Sequence, residues 1–123
     1  MRTLLRLRQH ILMTAEALAQ ADTHYTSSTD FDNCTGYVSL LVVAASAGAA
    51  TITITQQCSL DGENWYDPVG PTGAAIGTVA TALAVTTGTY ITYSPVVAPY
   101  ARFKVVEGNT AAVTVTITVT FQV

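Results

Sequence analysis

From Val113 to Val123 the chain alternates without interruption: Val113, Val115, Ile117, Val119, Phe121 and Val123 share one parity, and Thr114, Thr116, Thr118, Thr120 and Gln122 share the other. Successive side chains of a strand point to opposite faces of its sheet, whereas a helix would scatter this apolar set around its circumference. The segment therefore reads as a strand with one dry face and one wet face. A pairing slip of one residue would carry the whole apolar row into solvent, so its register is tightly specified.

The same period recurs upstream. Ile52 and Ile54 share a parity with Cys58 and Leu60, against Thr51, Thr53, Thr55 and Gln57 on the other. Ala101, Phe103 and Val105 oppose Arg102 and Lys104; Val79, Thr81, Leu83 and Val85 share a parity, and Thr89 to Tyr93 alternates again. Asp61-Gly62 tolerates a left-handed backbone, so residues 51–68 are expected to reverse there as a β-hairpin and carry Trp65 and Tyr66 back along the same sheet. Trp65 is expected in the core with Phe103, Ile117 and Phe121, where Trp65→Ala would cost about 3–5 kcal/mol. Gly108-Asn109 reads as a second hairpin turn. Tyr37 to Ala45 is apolar on both parities, which predicts a central strand covered on both faces. Turn formers crowd residues 26–36 and 68–77, and Pro95 and Pro99 bracket a corner. Seven or eight such strands predict an all-β fold, an antiparallel β-sandwich of Ig-like or jelly-roll-like type.

The first 25 residues carry two periods at once. Leu4, Leu7, Ile11, Ala15 and Leu18 make a helical stripe; Leu5, Leu7, Ile11, Met13, Ala15, Ala17, Ala19 and Ala21 share a strand parity interrupted only by Gln9, with Leu12 and Leu18 intruding on the opposite one. We expect an extended arm that becomes the first strand, with a helix as the competing reading. The expected organisation is an arm or first strand over 1–22 and a sandwich over 23–123. At about 3.3 Å per residue such an arm could cross onto a neighbouring subunit. Arginines before Ile11-Leu12-Met13 imitate a secretory leader, but Gln9, His10 and Glu16 break the apolar run such a leader needs.

Composition bears on what surrounds the fold. Charged residues are 11% of the chain and hydrophobic ones 50%, against about a quarter charged in an ordinary soluble domain. Sheets with so few charges leave edges and faces that nothing repels, so part of the surface is expected to be covered by copies or partners. A net charge of −3 and a pI near 5.0 offer no field for nucleic acid, and no apolar run is long enough to span a bilayer. Arg2, Arg6 and Arg8 concentrate the positive charge at the start, leaving Arg102 and Lys104 for the remainder.

Ser59-Leu60-Asp61-Gly62-Glu63-Asn64-Trp65-Tyr66-Asp67, then Pro99-Tyr100-Ala101-Arg102-Phe103-Lys104-Val105 and a terminal Thr/Val strand, resembles a small β-sandwich of tailed-phage virions, in which an S-x-DG-x-x-W hairpin precedes a YxRxxV strand. The resemblance covers residues 10–123. It implies a non-enzymatic virion protein without cofactor: a capsid decoration or cement protein, or alternatively a tail or head-fibre accessory. Its expected partners are further copies, a trimer among the options, and the major capsid or other virion proteins, on a particle assembled in the host cytoplasm. Arg2, Leu4, Leu5, Arg6, Leu7, Arg8 and Ile11 are the candidate assembly arm.

No catalytic set emerges. His10, His24 and Asp22 lack a nucleophile elbow or a supporting spacing. Asp30 with Asp32, and Asp61 with Glu63, could offer oxygens to Ca²⁺, though turn-forming Asp explains them more simply. Cys34 and Cys58 read as free, partly buried thiols, with a disulfide as the alternative. Asn33-Cys34-Thr35 matches a glycosylation sequon only by coincidence. A carbohydrate-binding module using Tyr90, Tyr93 and Tyr100 is the reading from a different functional class.

Overall fold

A computed structural model describes residues 6–84 and 88–123. Its strands are β1 (Leu7–Leu18), β2 (Thr23–Tyr25), β3 (Thr29–Asp30), β4 (Thr35–Ala45), β5 (Thr51–Ser59), β6 (Thr78–Ala84), β7 (Thr89–Tyr93), β8 (Tyr100–Glu107) and β9 (Val113–Gln122). They form two antiparallel sheets: a four-stranded one in the order β1-β9-β4-β7, and a five-stranded one in the order β2-β8-β5-β6 with β3 also on β8. The architecture is the expected β-sandwich. Two very short strands raise the count to nine.

The alternating segments build the interior. Val38, Leu40 and Val42 of β4 and Val115, Ile117, Val119 and Phe121 of β9 face Ile52 and Ile54 of β5 and Ala101, Phe103 and Val105 of β8, all essentially inaccessible. Phe31 meets Phe121 edge-on at 5.1 Å, and Tyr93 meets Phe103 at 6.3 Å. Among the described residues Phe103, Ile117 and Phe121 thus lie at the centre of one core.

Several expectations are corrected by the pairing. β8 and β9 belong to opposite sheets, so Gly108-Asn109 is an arch between sheets and not a hairpin turn. Asn109 takes a positive φ of 64° there, and a Cβ on Gly108 would collide with Thr51 Oγ1. Gly62 is left-handed (φ 77°) as Asp61-Gly62 implied, but the return strand is reduced to one bridge between Cys58 and Tyr66. Leu60, placed by parity on the apolar face, is 82% exposed because that face has run past the edge of the sandwich. Gln56 fills a fully buried position in its row. Val85 lies outside the described residues.

The N-terminal segment is extended. β1 pairs with β9 from Leu7↔Gln122 to Leu18↔Val113, with register shifts between Ile11 and Met13 and between Met13 and Glu16. These shifts explain the conflicting parities: a bulge turns consecutive residues to one side. Leu12, Met13 and Leu18 are buried while Ile11 stays 64% exposed. Ala15 beside the bulge has a φ of 43°. The strand is laid along its own chain and forms an edge of the four-stranded sheet.

Candidate functional site

The two outer sheet faces differ in chemistry. On the five-stranded sheet, the segment after Gly62 lies back over β5 and β8. Arg102 is sandwiched there, its guanidinium carbon 4.2 Å from the Tyr25 ring centroid and 4.7 Å from that of Trp65. Its Nε donates to Gln57 Oε1 (2.8 Å), Gln57 Nε2 donates to Asp67 Oδ1 (2.9 Å), and Lys104 Nζ sits 3.7 Å from Asp67 Oδ2. Trp65 is therefore a half-buried surface ring over a cation, not a core residue. The segment joins the sheet at the single bridge between Tyr66 and Cys58, which puts Tyr66 on the inner parity and its neighbour Trp65 on the outside of the sheet, over β8.

The loop that turns Trp65 onto this face is held by Asp61. Its carboxylate accepts from the backbone N–H of Glu63 and Asn64 (2.9 Å each), from the Asn64 side chain (2.7 Å) and from Ser59 Oγ (2.9 Å). These donors, the backbone N–H of Asn64 foremost, hold the Asp61 carboxyl well below the usual range. A carboxylate so engaged explains Asp61 as a turn organiser.

The four-stranded sheet presents a different outer face. Pairing aligns Ile11, Thr118, Leu41 and Tyr90 in one row across all four strands, and Gln9, Thr120, Ser39 and Thr92 in the next. Ser39 Oγ and Thr92 Oγ1 are 2.9 Å apart across that second row. Leu7 (67%), Tyr37 (68%), Leu41 (38%), Val43 (42%) and Tyr90 (63%) stand open to solvent, and Leu7, Tyr37, Ser39, Tyr90 and Thr120 line a shallow depression. Among the described residues no Asp, Glu, Lys or Arg points from this face: Arg6 and Arg8 take the opposite parity of β1, and Glu16 turns toward β2 to meet His24 Nδ1 at 2.7 Å. β4 is central in its sheet, but the described residues cover only one of its two apolar faces. That corrects the expectation of burial on both sides.

The other sequence candidates separate in space. Of the proposed arm, Arg2, Leu4 and Leu5 lie outside the described residues. Leu7 and Ile11 join the uncharged face, while Arg6 and Arg8 are exposed on the other side of β1. Cys34 and Cys58 are both free, and burial raises each thiol pKa, with Gln56 partly opposing at Cys58. Tyr90, Tyr93 and Tyr100 form no strip: Tyr90 is on the outer face, whereas Tyr93 turns inward and donates its hydroxyl to Gln56 Oε1 at 2.8 Å. His24 does approach Asp22 (3.5 Å) and Glu16, but among the described residues no nucleophile joins them. No cluster of His, Cys, Asp and Glu suited to a metal occurs among the described residues.

Gln56 and Glu107 are among the buried polar groups that sequence reasoning missed. Gln56 ties the sheets together, accepting from Tyr93 and from Val96 N–H (3.2 Å) and donating to Val96 C=O (2.9 Å). Glu107 closes the arch end, its Oε1 accepting from the N–H groups of Ala21 (3.1 Å) and Thr110 (2.8 Å). Polar residues standing in an apolar parity were the available signal for both.

No family model matches the chain, and no curated protein sequence matches it. Among solved structures it is similar to a chain in a structure of infectious bursal disease virus Gx strain, with a TM-score of 0.55, 12% identity, and coverage of 97% of this chain and 32% of that one. It is also similar to a mutant VP2 protein of infectious bursal disease virus in derived T=1 particles, with a TM-score of 0.52, 13% identity, and coverage of 95% and 32%. The chain thus spans about a third of the length of the chains it matches, 32% in each case. At that identity the likeness is one of fold: the two-sheet β-sandwich is shared.

Proposed function

We propose that this chain is a non-enzymatic virion structural protein, a capsid decoration or cement protein of a tailed bacteriophage that stabilises the head through subunit contacts. The observation that carries the reading is the broad sheet face free of charge, which leaves a central strand half covered until another protein meets it. Isolated soluble domains rarely leave so large an uncharged area open. The fold shared with chains from virus particles supports the same reading, as does the resemblance of residues 59–67 and 99–105 to phage sandwiches. Such a protein works by adding interface area across shell subunits and needs no cofactor. A tail or head-fibre accessory would use the same chemistry at another place on the particle.

The test is composition and stability of purified particles. We expect the chain at a fixed ratio to the shell subunit on the head, and heads lacking it should rupture at lower temperature. Absence from particles, together with failure of the purified chain to bind heads lacking it, would overturn the proposal.

A second reading, a carbohydrate-binding module, is favoured only by Tyr25, Arg102 and Trp65, which set two rings and a cation on one exposed face. Glycan binding by the isolated chain that is lost in Trp65→Ala and Arg102→Ala would support it over the first.

A further inference from the structure

We infer that the uncharged face of the four-stranded sheet is a pairing surface for the same face of a second copy, related by a two-fold axis running through the neighbourhood of Leu41. The inference deepens the virion reading by naming what covers β4. Three observations converge on a copy of this chain as the occupant.

The first is electrostatic. The chain carries a net charge of −3, so most ways of bringing two copies together set like charges against each other. This face has no charged side chain among its described residues, and Glu16, Arg102, Lys104 and Asp67 all sit on the inner side or the opposite sheet. A partner with a charged surface would have to strip that charge of water with nothing here to pair it. An identical face asks for no such desolvation. Its threonine and serine hydroxyls both donate and accept, so each can pair with its like.

The second is the pattern of β4. Tyr37, Leu41 and Val43 alternate with Val38, Leu40 and Val42, so β4 carries apolar side chains on both faces. The sandwich covers one. A second sheet stacked at about 10 Å would cover the other, in the geometry the two sheets of the sandwich already use.

The third is size. Four strands at about 4.8 Å spacing and roughly nine residues at 3.3 Å rise give a face of about 570 Å². Two copies would bury about 1,100 Å², at the lower end of what specific pairing requires. A two-fold arrangement makes the contact isologous and closed, so it yields pairs and not filaments. Leu41 lies mid-face, between Thr118 on β9 and Tyr90 on β7, so each copy's Leu41 approaches the other's.

Sedimentation velocity over a concentration series tests the pairing. Wild type should run as a pair at micromolar concentration, and Leu41→Glu should weaken it by on the order of 100-fold or more by setting two carboxylates against each other. Thr55→Glu, on the outer face of the other sheet, should pair like wild type. Because Leu41→Glu could fail by misfolding, it is mixed with Leu41→Lys: recovery of pairs only in the mixture requires two folded chains meeting at residue 41. A wild type that is monomeric or trimeric, a Leu41→Glu chain that pairs normally, or a mixture that stays monomeric would each overturn the inference. A monomeric chain that still decorates heads would remove the pairing and leave the virion reading standing; a pair-forming chain absent from particles would do the reverse.

Discussion

Gln56 is a buried point at which the two sheets are joined by hydrogen bonds and not only by packing, and its loss has a calculable consequence. Its fully buried amide serves Tyr93 of β7 in the opposite sheet and both backbone groups of Val96 in the following loop. In Gln56→Leu the volume is kept, but the Tyr93 hydroxyl, the Val96 N–H and the Val96 C=O lose their partner. At about 1 kcal/mol for each half-buried polar group, the lower end of the range, the variant should lose about 3 kcal/mol. Tyr93→Phe alone should cost about 1 kcal/mol, because Gln56 Oε1 keeps the Val96 N–H. In the Gln56→Leu background the sign should change. The hydroxyl is already stranded there, and burial, with the Cys58 and Cys34 sulfurs nearby, already pushes its pKa far above the ordinary range. Removing it should restore about 1 kcal/mol. The coupling is then about 2 kcal/mol, well outside the scatter of independent sites. Urea unfolding at pH 7 measures it, since 1 kcal/mol moves the midpoint by roughly 0.3–1 M. If Tyr93→Phe destabilises both backgrounds equally, the cross-sheet network does not operate.

Three further outcomes follow from the same geometry. Trp65→Ala should cost about 1–2 kcal/mol in urea unfolding, against about 3–5 kcal/mol for Phe103→Ala, because Trp65 gives up a half-buried surface stack and Phe103 leaves a cavity; equal costs would contradict the surface position. Deleting residues 1–18 should abolish cooperative unfolding, since it removes Leu12, Met13 and Leu18 from the core and bares the β9 backbone, and a sharp native-like transition would show that β1 is dispensable. At Glu107, burial opposes ionisation, but surrounding backbone N–H groups, those of Ala21 and Thr110 hydrogen-bonded to it, outweigh it and hold the carboxyl below its usual range. A carboxyl depressed in the folded state adds stability above the unfolded pKa of about 4.3, and that stability is lost as pH falls through the folded value. Glu107→Gln should therefore lower the urea midpoint at pH 6 and flatten its fall between pH 5 and 3; an unchanged acid slope would count against the arch role.

Much of the fold could be read from single residues. Val113 to Val123 announced a strand and its buried face, and Phe103, Ile117 and Phe121 stand on the parities that meet in the core. The candidate surface was half legible. Tyr37 to Ala45 signalled two covered faces and the scarcity of charge signalled a covered surface, but nothing in the order of residues said that Leu7, Ile11, Leu41 and Tyr90, drawn from β1, β4 and β7, would share one side. The errors have one origin. Parity describes a strand only while its pairing is regular, so the bulge after Ile11 left Leu7 and Ile11 outside while turning Met13 inward beside Leu12, and the single bridge at Tyr66 set the neighbouring Trp65 on the outside of its sheet.

The one-dimensional pattern by itself determined the class of structure, because burying alternate side chains is a local property that period two expresses directly. Which strands became neighbours was decided only in three dimensions. Gly108-Asn109 and Asp61-Gly62 are both competent turns, and whether each bends within a sheet or between sheets depends on the partners waiting at β9, β5 and β8. The segregation of charge is likewise tertiary: strands far apart in sequence each keep one uncharged row, and only the pairing of β1, β9, β4 and β7 joins those rows into a face.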